Sequence, residues 1–221
     1  MVQAADRAPS SRVRGAWLQG HWLACGPNEV GKTTLVKRLL AEIEQLTVLD
    51  TKLAGEFTSW PRMKHTVDAA KIARATGRVV YHAPPGVDWS NPELDDFFAG
   101  VWARGNNIAV VDEAGHACTA GGIPRNYRSC LRSGRGRGIA VVTLAQRLVG
   151  LHNDALSESW TYVLFAPITG TDPAKAREFG VGEAALDWLA DPSRKMHDFL
   201  VWSRRERRII YQYEAKGAKT A

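Results

Sequence analysis

One octapeptide, Gly26-Pro27-Asn28-Glu29-Val30-Gly31-Lys32-Thr33, constrains this chain more than any other stretch. It reads G-x-x-x-x-G-K-T, the pattern of a phosphate-binding loop. Its flanks agree with it. His21-Trp22-Leu23-Ala24-Cys25 before it reads as a short buried strand, running over about 20–25. After it, apolar residues at 35, 36, 39, 40 and 43 mark one face of a helix reaching to about 45. Strand, glycine loop and helix occur in the order that phosphate binding requires. The glycines let backbone N–H groups turn inward, and the helix N-terminus adds the positive end of its dipole. Phosphate contacts are expected from Gly26, Pro27, Asn28, Glu29, Val30, Gly31, Lys32, Thr33 and Thr34. Lys32 would reach the β- and γ-phosphates of a nucleoside triphosphate, and the Thr33 hydroxyl would bind Mg²⁺.

A second motif sharpens the first. Ile108-Ala109-Val110-Val111-Asp112-Glu113 is a continuous apolar strand ending on two carboxylates, the Walker B pattern. Asp112 is expected to hold Mg²⁺, and Glu113 to position and polarise an attacking water. An adjacent Asp-Glu pair suits hydrolysis, whereas a kinase must exclude water and present an acceptor hydroxyl. Gln146 directly follows a further apolar strand, from where a polar side chain could sense the γ-phosphate.

The rest of the chain is in keeping with one α/β domain. Strands are expected at 46–50, 78–83, 107–113, 138–144 and 159–165. Helices are expected at 64–76, from Pro92 through Trp102, and at 125–133, 172–179 and 183–190. The strands are apolar without alternation, which points to burial on both faces and a parallel sheet. Residues 198–202 and 208–213 should close a C-terminal β-hairpin. The expected architecture is therefore a three-layer α/β sandwich with a mainly parallel sheet. Residues 1–18 read as a mobile basic arm, 19–214 as the single domain and 215–221 as a polar tail.

Composition excludes several classes. The chain has 221 residues, of which 45% are hydrophobic and 24% charged, as in an ordinary globular domain. No apolar run reaches the ~18 residues of a membrane span. The first residues lack the apolar core of a signal peptide, so the protein is expected to stay inside the cell. Three cysteines form no C-x-x-C pair, and His116 with Cys118 supplies too few ligands for zinc. Net charge is +6. Arg125, Arg128, Arg132, Arg135, Arg137 and Arg147 span a stretch without an acidic residue, and Arg204-Arg205-Glu206-Arg207-Arg208 forms a second basic cluster. Either could face DNA phosphate or another anion.

The segment Gly134-Arg135-Gly136-Arg137-Gly138 through Thr143-Leu144-Ala145-Gln146-Arg147 resembles one of the FtsK–HerA superfamily of DNA-pumping ATPases. There an R-x-x-G-I stretch precedes an apolar strand and a Gln-Arg pair. Motif order and spacing match that superfamily over about residues 20–170, including Val48-Leu49-Asp50 with the acidic turn Gly55-Glu56-Phe57. Leu148 departs from the pattern, standing where a proline is frequent. The short chain is most like the genome-packaging ATPases of membrane-containing icosahedral double-stranded DNA viruses. The resemblance implies a P-loop NTPase fold of the RecA/FtsK type, with ATP and Mg²⁺ as cofactors. It implies a pentameric or hexameric ring pumping double-stranded DNA without reading its sequence. It makes Gln146 the sensor and Arg135 a finger reaching into a neighbour's ATP, with Arg137 and Arg132 as rivals. It also implies partners at a capsid vertex or portal, and a place in the host cytoplasm and at the packaging vertex of the virion. Other readings are a DNA-transfer, secretion or filamentous-phage-assembly motor, a small P-loop kinase, and an inactive adaptor.

Overall fold

A computed structural model describes residues 20–52, 57, 67–84 and 86–215. The expected arm over 1–18, the turn residues Gly55 and Glu56, the start of the 64–76 helix and all but Ala215 of the tail lie outside these residues.

Among the described residues, eight strands form one sheet in the order β3-β2-β4-β5-β1-β6-β7-β8. They are β1 (His21–Cys25), β2 (Leu46–Asp50), β3 (Arg78–His82), β4 (Ile108–Asp112), β5 (Ala140–Ala145), β6 (Ser159–Phe165), β7 (Phe199–Ser203) and β8 (Arg208–Tyr213). The first six are parallel, and β7 and β8 add an antiparallel hairpin. Every residue of β1, β2, β4 and β5 is buried, the reason their sequences are apolar without alternation. The parallel strands bring Cys25, Asp50, His82, Asp112 and Ala145 to one edge of the sheet, where ligands bind in open α/β folds.

Among the described residues, seven helices join the strands: α1 (Lys32–Leu39), α2 (Ala69–Arg74), α3 (Pro92–Arg104), α4 (Arg125–Ser133), α5 (Asn153–Ser157), α6 (Asp172–Glu178) and α7 (Glu183–Ala190). Two apolar clusters pack on opposite faces. One contains Phe97, Phe98, Tyr127 and Leu186, with Phe98 stacked on Tyr127 at 4.1 Å. The other contains Val36, Leu40, Val48 and Val142 beneath α1. The three layers are therefore present, but among the described residues α1 alone represents one helical layer.

Helix α1 stops at Leu39, short of the expected 45. The Arg78 guanidinium takes the carbonyls of Leu40, Ala41 and Ile43, satisfying the groups that further helical turns would have used. Helix α2 occupies 69–74, because Asp68 caps it by accepting from the Lys71 N–H at 3.0 Å. The short helix α5 was not foreseen.

Candidate active site

The loop Gly26–Thr33 runs from the C-terminal end of β1 into α1, as its sequence predicts. Glu29 and Gly31 hold φ angles of 62° and 95°, the left-handed turns that fold the backbone inward. Gly26 has a second requirement. A Cβ there would stand 2.5 Å from the Phe165 Cβ on β6, so the loop cannot leave β1 this closely with a larger residue.

Lys32 is buried. Its Nζ donates to the Gly26 carbonyl at 2.6 Å and to the Pro27 carbonyl. Burial, and then the nearby Lys52 ammonium, lower its pKa, while Glu113 and Asp112 oppose the shift. The Thr33 hydroxyl lies 3.3 Å and 3.5 Å from the two oxygens of Asp112, a carboxylate with no solvent exposure. This meeting of α1 with the end of β4 is the convergence that the two motifs predict. A hydroxyl and a buried carboxylate are hard oxygen donors of the kind Mg²⁺ takes, and a positive group, Lys52, is already drawn to the same carboxylate at 3.8 Å. The residues therefore fit a divalent cation.

Strand β4 ends at Asp112, and Glu113 turns out of it with φ 54°. A non-glycine residue in this region is strained by about 1–3 kcal/mol. The turn carries the Glu113 carboxylate away from the strand axis while keeping the residue 8% exposed. Thr51 braces it, its hydroxyl donating to the carbonyls of Asp112 at 2.8 Å and Glu113 at 3.2 Å.

Gln146 follows β5 and lines a narrow cleft with Gly26, Pro27 and Arg147, so the sensor candidate stands beside the loop. Its neighbour is held firmly. Arg147 Nε donates to Asp172 Oδ2 at 2.6 Å, and Asp172 Oδ1 accepts from the N–H groups of Leu148 at 3.0 Å and Val149 at 2.9 Å. Leu148 thus supplies an N–H that proline lacks, which gives its departure from the superfamily pattern a structural use.

The arginines lie elsewhere. Arg135 and Arg137 occupy a 3₁₀ turn, Gly134–Arg137, that precedes β5 and so sits at the N-terminal edge of the sheet. Arg132 is paired with Asp154 at 2.8 Å, and Arg137 donates to the Trp102 carbonyl at 3.1 Å. Arg135 is exposed, with its guanidinium over the Trp160 ring at 4.0 Å. Gly138 ends the turn with φ 69°, and a Cβ there would fall 2.2 Å from Asn106 Oδ1. This is a physical reason for the glycine in the R-x-x-G-I pattern. The Arg204-to-Arg208 turn joins β7 to β8 at the same edge. Arg204, Arg205 and Arg207 line an open groove of about 790 Å³ with Trp160.

Sequence reasoning missed two residues here. Lys52 becomes visible only when β2 lies beside β4, with Asp50 in register with Asp112. Asp172 had a local signal in Thr171-Asp172-Pro173, the start of a helix, but its partners are distant in sequence. The three cysteines are buried, and burial pushes the thiols of Cys118 and Cys130 up to about 12, so neither is a ready nucleophile.

A parallel sheet with a glycine loop after its central strand, and paired carboxylates at the end of another, defines a P-loop NTPase fold. Comparison with solved structures agrees. The chain superposes on the genome packaging NTPase B204 from Sulfolobus turreted icosahedral virus 2 in complex with AMP with a TM-score of 0.75. The two are 15% identical, over 90% of this chain and 99% of that one. The same NTPase in complex with ATP-gammaS gives 0.74 at 15% identity, over 90% and 100% of the two chains. VirB4 of Thermoanaerobacter pseudethanolicus gives 0.58 at 12% identity, over 90% of each. What such identities establish in common is the fold. No protein-family model and no curated protein matches the sequence. Among the described residues, no helix is long and apolar enough to cross a membrane.

Proposed function

We propose that this chain is an ATPase that moves double-stranded DNA, working as a pentameric or hexameric ring in the packaging of a viral genome. Residues 19–214 act as one ATPase domain. The loop from Gly26 to Thr34 cradles the phosphates of ATP, and Lys32 leaves its loop carbonyls to meet them. Thr33 and Asp112 are the residues that fit Mg²⁺, which when bound neutralises charge on the transferring phosphoryl group. Glu113 orients and polarises the attacking water. Gln146, beside the loop, couples the γ-phosphate to β5.

One observation carries the reading. Lys32, Thr33, Asp112 and Glu113 meet at one edge of the sheet, while exposed Arg135 stands at the other. A strand of five residues spans roughly 17 Å, so Arg135 cannot serve its own loop. It can serve the loop of another copy, which supports a ring with shared sites. The length-matched likeness to a viral genome packaging NTPase supports the choice of DNA as cargo. The protein would then act in the host cytoplasm and at the packaging vertex of a capsid, against vertex or portal proteins.

The test is ATP hydrolysis with and without linear double-stranded DNA. Hydrolysis should rise with DNA, and the rise should fade as salt increases. Hydrolysis indifferent to DNA would remove the DNA motor and favour a motor with another cargo. Absence of hydrolysis under both conditions would remove the ATPase.

A further inference from the structure

Lys52 stands inside the candidate site and has no part in the function proposed above. Its Nζ lies 3.8 Å from Asp112 Oδ1 and 3.5 Å from Glu113 Oε2. Glu113 Oε2 is buried and takes no hydrogen bond among the described residues, so the ammonium is the charge brought up to it. The main chain under Lys52 is pinned. Its N–H donates to Asp50 Oδ1 at 3.0 Å, and Thr51 is bonded to the carbonyls of Asp112 and Glu113. The side chain is not buried: it is 23% exposed, on a four-carbon stem that can swing out while the backbone stays fixed.

A divalent cation at Thr33 and Asp112 would compete with this ammonium for the same carboxylates. Two positive groups that close repel strongly in a partly buried site. We propose that Lys52 is the resident counter-ion of the metal position. It holds Asp112 and Glu113 together before the metal arrives, and must withdraw for the metal to bind. The inference rests on reading Thr33 and Asp112 as the metal residues. Lys52 then acts as a positioning residue that keeps the bare metal out. Nucleotide phosphates would offer the displaced ammonium a new anionic partner, so metal and nucleotide would load together.

The test uses the nucleotide-free full chain and Mn²⁺ alone, with free metal followed by electron paramagnetic resonance. Lys52→Met should bind Mn²⁺ about tenfold more tightly than the wild type, the scale of one partly screened charge contact. Lys52→Gln should do the same, which guards against a folding defect peculiar to one variant. Lys52→Arg, which keeps the charge, should bind as weakly as the wild type. Adding Asp112→Asn to Lys52→Met should abolish the gain. Unchanged or weaker Mn²⁺ binding in both neutral variants would overturn the proposal, as would a gain that survives Asp112→Asn. None of these titrations requires hydrolysis, so a failed ATPase reading and a failed counter-ion reading are separately visible.

Discussion

The two edges of the sheet are built on opposite terms. At the C-terminal edge, Lys32, Asp112 and Glu113 are buried and Lys52 is half-buried beside them, so positive and negative groups already face one another. At the N-terminal edge, Arg135 and Arg205 lie over the faces of one tryptophan, Trp160, at 4.0 Å and 5.9 Å. Cation–π contacts at exposed sites are worth about 0.5–1 kcal/mol. Arg135 can therefore be drawn away by a stronger anion, whereas Arg132 is held by Asp154. On the proposed reading, one edge receives the nucleotide and the other reaches toward the site of a second copy.

The sharpest way to break this comparison is to ask whether the edges work in one chain or between two. Lys32→Ala and Glu113→Gln should each lower ATP hydrolysis at least about 10³-fold. Arg135→Ala should lower it by a similar factor of about 10³ if it serves as a finger. Mixing distinguishes them. Lys32→Ala and Arg135→Ala chains should restore activity when combined, because a mixed interface joins an intact loop to an intact arginine. Lys32→Ala with Glu113→Gln should restore nothing, since both defects lie at the same edge. Failure of the first mixture to recover would confine each site to a single chain or give the finger to another arginine.

The next effects are on stability, one at each edge. Asp172→Ala removes the acceptor of two backbone N–H groups and the partner of Arg147. It should cost about 3 kcal/mol by urea unfolding, as the loss of a buried hydrogen-bonded carboxylate does. At the N-terminal edge, His21 Nδ1 accepts from the Val141 N–H at 2.9 Å, which requires a neutral ring. Burial, with a smaller push from Arg135, lowers its pKa from 6.5 to about 4. The unfolded chain therefore takes up this proton at a pH where the folded chain does not. The His21 contribution is whole above pH 6.5 and falls as pH drops toward about 4, by up to about 3 kcal/mol. The fall should be absent in His21→Ala when both proteins are unfolded by urea across this range.

The C-terminal edge was largely legible in the sequence, because its chemistry is written locally. Gly26 to Thr33 is contiguous, and Asp112-Glu113 ends a strand whose apolarity announces it. The left-handed turn at Glu113 was not legible, since no residue type there calls for positive φ. Nor was Lys52, whose place depends on β2 pairing with β4 across the 61 residues of sequence between Asp50 and Asp112. At the N-terminal edge the arginines could be counted but not sorted. Only the contacts with Asp154, Trp102 and Trp160 separate Arg132, Arg137 and Arg135. The end of α1 was misplaced for a related reason, because its terminating residue, Arg78, belongs to β3.

The smallest expected effect separates presentation of the arginine from its chemistry. Gly138 follows the 3₁₀ turn in the left-handed region, and Asn106 packs against it while donating its N–H to the Arg137 carbonyl at 2.8 Å. Gly138→Ala keeps every arginine but forces a Cβ into Asn106 and strains φ. It should cost about 2 kcal/mol of stability. If the turn positions Arg135 for a neighbouring site, Gly138→Ala should lower hydrolysis in the homogeneous protein while its own loop stays competent. Mixed with Lys32→Ala, it should then recover activity as Arg135→Ala does. If hydrolysis is unchanged despite the lost stability, the turn does not set the geometry of the arginine, and Trp160 alone would have to present it.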